Sequence, residues 1–114
     1  MIRTMLAATV LAAIITPAAA ADQPAGSADT GKALYMTQGC WQCHGRVAQG
    51  GGAGPRLAPP VMPLSDFTTQ LREPRAEMPP YTHAVLSEAQ LADIHAFLQT
   101  IPPPPALEGI ALLK

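Results

Sequence analysis

No block of basic residues occurs in this chain: Lys32, Arg46, Arg56, Arg72, Arg75 and Lys114 are dispersed, and Arg3 stands alone near the start. A nucleic-acid surface needs clustered cations to neutralise phosphates, so that class of partner is excluded. There is no second cysteine pair either. Cys40 and Cys43 are the only two cysteines, so a four-ligand structural zinc site would still lack a ligand after His44 was added. Long apolar runs are missing too, because Leu6 to Ile15 is shorter than the roughly twenty residues that cross a bilayer. Little reads as strand. With 13 prolines and 9 glycines, the chain has room for a few short helices among long loops.

What is present at the amino end has the three parts of a secretory signal: Arg3, the uncharged run Leu6–Ile15, and the small residues Ala18-Ala19-Ala20-Ala21. We expect a signal peptide over 1–21, cleaved after Ala20 or Ala21, and therefore a periplasmic protein. A short linker, 22–28, precedes the only domain, 29–101, and a proline-rich tail follows over 102–114. A domain this small buries limited apolar surface and commonly needs an internal scaffold.

The pattern predicts a first helix from about Asp29 to Gln38, capped by Asp29 and ended by Gly39, with Gly31, Leu34 and Tyr35 on one side. Residues 46–63 read as a Gly/Pro loop. Ser65 starts a brief second helix that buries Phe67 and Leu71, and Pro74 prevents its extension. The last helix is the best specified. Ser87 and Gln90 form a capping box, Leu86 and Leu91 a hydrophobic staple, and Leu91, Ile94 and Leu98 repeat at helical spacing beside Phe97. Pro102–Pro105 ends it and favours an extended, stiff spacer.

The chemistry concentrates at Cys40-Trp41-Gln42-Cys43-His44. Two thiols separated by two residues can each bond one vinyl group on the same edge of a porphyrin, and the next residue then presents imidazole to the iron. Three other readings of the pair exist. A disulfide leaves the adjoining His44 unexplained. A thioredoxin-like pair wants a strand–helix context that the flanking loop lacks. Zinc lacks its fourth ligand. One covalent haem c is the reading that uses all three residues.

A shuttle of single electrons also needs a ligand on the second axial face. Met78 is the choice, in a loop stiffened by Pro79 and Pro80, where a thioether would favour ferrous iron and raise the reduction potential. Met62, beside a proline, is its rival; Met36 reads as core filling. His83 and His95 are candidates for a two-histidine iron, although a lone His is more commonly not a ligand. Trp41 has two open readings, as a cover over the haem edge or as a tolerant position between the cysteines.

Taken in order, these features resemble class I cytochrome c over Gly31 to Ile101. The resemblance implies an all-α fold of three to four short helices and Gly/Pro-rich loops around one haem, with the first and last helices crossing at Gly31–Tyr35 and Ile94/Phe97. It implies that Gly54-Pro55-Arg56-Leu57 supplies the Pro55 carbonyl to the proximal histidine's N–H and Leu57 to the haem face. It also implies that Met78-Pro79 is the distal methionine loop. The cofactor-binding set is then Cys40, Cys43, His44, Pro55, Leu57 and Met78, with His44 and Met78 as iron ligands. No side chain matches the family's propionate partners. Arg56, Arg72 and Arg75 qualify only as cations and read as solvated surface residues.

The expected function is single-electron transfer from a periplasmic dehydrogenase toward a cytochrome or terminal oxidase, as a free carrier or a subunit, with no substrate chemistry. Membrane contact is expected only through partners or an uncleaved signal. A five-coordinate haem with peroxidase or gas-binding activity is the alternative. Pro102–Pro105 with the apolar Ile110–Leu113 suggests a tail that docks on a larger complex, packs on its own domain or stays disordered.

Overall fold

The computed structural model describes residues 25–106 and residue 112. The expected signal segment, linker residues 22–24 and tail residues 107–111, 113 and 114 lie outside the described residues. Those described form four α-helices and no strand: α1 (Ala28–Thr37), α2 (Cys40–His44), α3 (Leu64–Arg72) and α4 (Glu88–Gln99).

α1 starts one residue earlier than Asp29 and is capped by a different side chain. Ser27 is extended, and its hydroxyl accepts the Thr30 N–H at 3.3 Å. Asp29 instead lies in the first turn, where its carboxylate faces the positive end of the helix dipole. Gly39, at φ 78°, then takes the left-handed conformation that side chains resist, which lets α2 begin almost directly after α1. The attachment motif is therefore helical rather than part of a loop. α3 has no side-chain cap and follows Pro63, while α4 has the full Ser87/Gln90 capping box.

α1 crosses α4 closely because Gly31 has no side chain there: a Cβ at that position would overlap the backbone carbonyl of Asp93. The same aspartate accepts the Ser27 N–H through its carboxylate at 2.6 Å. At the crossing, the Tyr35 and Phe97 rings meet at 5.4 Å with a 56° tilt, a geometry worth about 0.5–1.5 kcal/mol beyond burial alone. Leu86, Leu91, Ile94 and Leu98 fill the core behind them, and α3 adds Phe67 and Leu71. α4 stops at a Thr100 cap, followed by the exposed Pro102–Pro105. Among the described residues, no helix is long and apolar enough to cross a membrane.

Candidate haem-attachment site

α2 carries Cys40 and Cys43 one turn apart. The two cysteines form no disulfide; Cys40 is half-buried against the core and Cys43 is exposed. Burial pushes the Cys40 thiol up from its ordinary range, with the neighbouring Tyr81 hydroxyl acting the other way. His44, at the end of the same helix, is 7% exposed, the one buried polar or charged residue among those described.

The loop after α2 folds back onto it through backbone bonds. Gly50 N–H donates to the His44 carbonyl at 2.8 Å, Gly51 N–H to Gly54 at 2.9 Å, and Leu57 N–H to Ala48 at 2.9 Å. Residues 54–57 thereby lie against the histidine. A carbonyl oxygen only accepts, so His44 donates its Nδ1–H to Pro55 at 2.8 Å. That bond assigns the proton to Nδ1 and leaves the Nε2 lone pair for a metal. Gly54 makes the approach possible, because a Cβ there would sit 3.0 Å from the ring. Leu57 is half-buried and packs against the core.

Met78 is half-buried in the loop after α3, and α3 clamps that loop at several points. Tyr81 N–H donates to the Leu71 carbonyl at 2.8 Å, and Arg72 Nη1 donates to the Tyr81 carbonyl at 2.7 Å. The Tyr81 hydroxyl reaches back to the Gln38 carbonyl at 3.2 Å, tying the loop to the segment just before α2. Gln70 Nε2 lies 3.9 Å from the Met78 sulfur, and Arg75 Nε donates to Gln70 Oε1 at 3.0 Å. The two prolines after Met78 therefore share the positioning of its backbone with α3.

Arg72 corrects the reading of all three arginines as solvated. Its side chain is only 13% exposed and pairs with Glu88 at 2.6 Å. Arg56 and Arg75 are exposed. His95 contacts the Met62 carbonyl through Nε2 at 2.8 Å and packs on Phe67, while exposed His83 lies 3.2 Å from Glu88. Trp41 is half-buried beneath the Arg46 guanidinium, 4.8 Å from its ring. Gln70, Tyr81 and the buried Tyr35, whose hydroxyl donates to Gly45 at 2.6 Å, lay outside the candidates read from sequence. Gln70 and Tyr81 belong to no local motif, and Tyr35 reads from sequence only as part of the helix crossing; the folded chain brings all three to the site.

The donor set fits haem c: paired thiols on one helical turn, and an imidazole with Nδ1 protonated and Nε2 free. Fold and site together define a small c-type cytochrome. Residues 26–98, well over half of the chain, match the family model described as cytochrome c oxidase, cbb3-type, subunit III. The chain belongs to this family of c-type cytochrome domains. It is an electron-transfer protein whose haem c is covalently bound. No curated protein and no solved structure gave a match.

Proposed function

We propose that this chain is a periplasmic single-electron carrier, or the electron-transfer subunit of a complex, with one haem c held between His44 and Met78. The bond from His44 Nδ1 to the Pro55 carbonyl is the observation that carries this reading. It orients the ring and raises the basicity of the nitrogen left for iron. Cys40 and Cys43 would hold the porphyrin edge through thioethers, and Leu57 would pack on its face. Bound haem supplies a ferric/ferrous couple that exchanges one electron at a time. Met78 contributes a soft sulfur that favours the ferrous state. The clamps from Leu71 and Arg72 to Tyr81 keep its loop in place through either state, so little rearrangement accompanies transfer.

The family description names an oxidase subunit, which suits a cytochrome or terminal oxidase as acceptor; the donor we propose with it is a periplasmic dehydrogenase. With the expected signal and its Arg3 removed, six Lys and Arg stand against eight Asp and Glu, and so small a net charge makes long-range steering weak, so partner encounter should respond little to salt.

Met78→Ala tests the ligation. We expect a lowered reduction potential and a ferrous iron that binds carbon monoxide, which the parent protein resists. An unchanged spectrum in the variant, or rapid and complete carbon monoxide binding by the parent at neutral pH, would overturn the assignment.

A further inference from the structure

The hydrogen-bond partners of Gln70 assign its side-chain amide a direction. Arg75 Nε is a donor only, and it lies 3.0 Å from Gln70 Oε1. The carbonyl end of the amide is thus committed to Arg75, and the NH₂ end must face the other way. It faces Met78, with Nε2 3.9 Å from the sulfur. Gln70 is half-buried on α3, whereas Arg75 lies beyond the helix on the exposed turn that leads into the distal loop. The turn therefore orients an amide that the helix aims at the loop's thioether.

We propose that Gln70 is a positioning and tuning residue for the distal ligand, its N–H donated to the Met78 sulfur and its orientation held by Arg75. This deepens the functional reading above and rests on Met78 being the axial ligand. A thioether sulfur has two lone pairs, so one directed at iron leaves the other free to accept. An N–H on that second pair draws electron density from sulfur. Ferric iron, the more electron-poor state, loses more from a weaker donor than ferrous iron does, so the contact raises the reduction potential. A separation of 3.9 Å is at the outer reach of an N–H···S contact, and thioethers are weak acceptors. The effect is therefore a several-fold preference rather than a switch. Met62 borders the same surface depression as Gln70 and Arg75, but its own tie is through its backbone carbonyl to His95.

The test measures reduction potential and optical spectrum on matured holoprotein carrying Gln70→Leu, Met78→Ala, or both. Leucine keeps the bulk and neutrality of glutamine but has no donor. We expect Gln70→Leu alone to reduce the preference for ferrous iron about three- to tenfold. That is a fall of about 30–60 mV, since tenfold is 59 mV for a one-electron couple. The sulfur-to-ferric-iron absorption band should shift while six-coordination persists. In the Met78→Ala background the same substitution should leave the potential unmoved. A change smaller than twofold in the single variant, or an equal fall in both backgrounds, would overturn the proposal while leaving Met78 as the ligand. If Met78→Ala itself changes neither spectrum nor potential, the ligand assignment fails and the proposal with it. Should Gln70→Leu not mature, Gln70→Glu retains the Arg75 partner and replaces the donor with an acceptor. Its potential should fall more in the parent than in the Met78→Ala background, and equal falls would again refute the idea.

Discussion

His44 Nδ1 lies 2.8 Å from the carbonyl oxygen of Pro55, and the residue that permits this approach is Gly54. A Cβ on Gly54 would stand 3.0 Å from the imidazole and 3.1 Å from the Cys43 carbonyl, closer than carbon normally rests. Gly54→Val adds two further methyl groups in that space. We expect a loss of about 1–3 kcal/mol, the usual range for overpacking. It should appear as a lowered denaturant midpoint in the holoprotein, with a smaller loss for Gly54→Ala. Equal stability of the valine variant and the parent would show that the ring is not confined from this side.

The crossing of α1 on α4 makes a sharper steric prediction. At Gly31 an added Cβ meets backbone, the Asp93 carbonyl, so no rotamer change can relieve it. Gly31→Ala should cost at least about 1–3 kcal/mol even though alanine is the better helix former. Thermal unfolding of matured protein checks this; a gain in Tm would mean that the helices do not approach as described.

Tyr35 links the core to pH. Burial, with the Cys40 thiolate as the lesser contribution, pushes its hydroxyl up to about 12 from an ordinary value of 10.0. Thioether formation removes the thiolate contribution and leaves burial. Below pH 10 the hydroxyl is protonated both folded and unfolded, and stability is independent of it. Above 10 the unfolded chain releases this proton first, so stability falls with rising pH, by at most about 1.4 kcal/mol per unit. Tyr35→Phe should remove that slope and also lose the bond to the Gly45 carbonyl, at a cost of about 1–3 kcal/mol near neutral pH. Denaturant titrations of both proteins between pH 8 and 11 measure the difference. Parallel curves would contradict it.

At the start of α4, Ser87 and Gln90 cap each other's backbone at 3.3 and 2.8 Å. Ser87→Ala should destabilise the holoprotein by about 1 kcal/mol. Ferric and ferrous spectra should stay as in the parent, because the cap touches no candidate iron ligand. A change in either spectrum would couple this cap to the distal loop.

The helices were legible in sequence wherever a local rule governs them. α4 carries its capping box and its apolar repeat in one stretch, and Phe67 and Leu71 mark the buried face of α3. α1 was legible in extent but not in its cap, since Ser27 and Asp29 are both good capping residues and only backbone geometry separates them. The helical form of Cys40–His44 depends on the left-handed Gly39, which from sequence alone reads simply as a stop.

At the site, residues 40–44 were legible because covalent attachment demands a fixed spacing. Pro55 and Leu57 came from a four-residue resemblance, and the loop bonds of Ala48, Gly50 and Gly51 show how the chain returns there. The Arg75–Gln70–Met78 relay and the burial of Arg72 were not legible. Each joins side chains from α3 to a loop with no helical period, and a charged residue on a short helix reads by default as solvated.

Everything about the site depends on Cys40 and Cys43 being bonded to porphyrin. The direct measurement takes the exported, matured protein, extracts it with acidified organic solvent, and treats the denatured polypeptide with a thiol alkylating reagent before mass spectrometry. Colour should stay with the polypeptide, its mass should exceed that of the processed chain by one haem, and neither cysteine should be alkylated. Extraction of the pigment, or alkylation at both Cys40 and Cys43, would contradict the attachment.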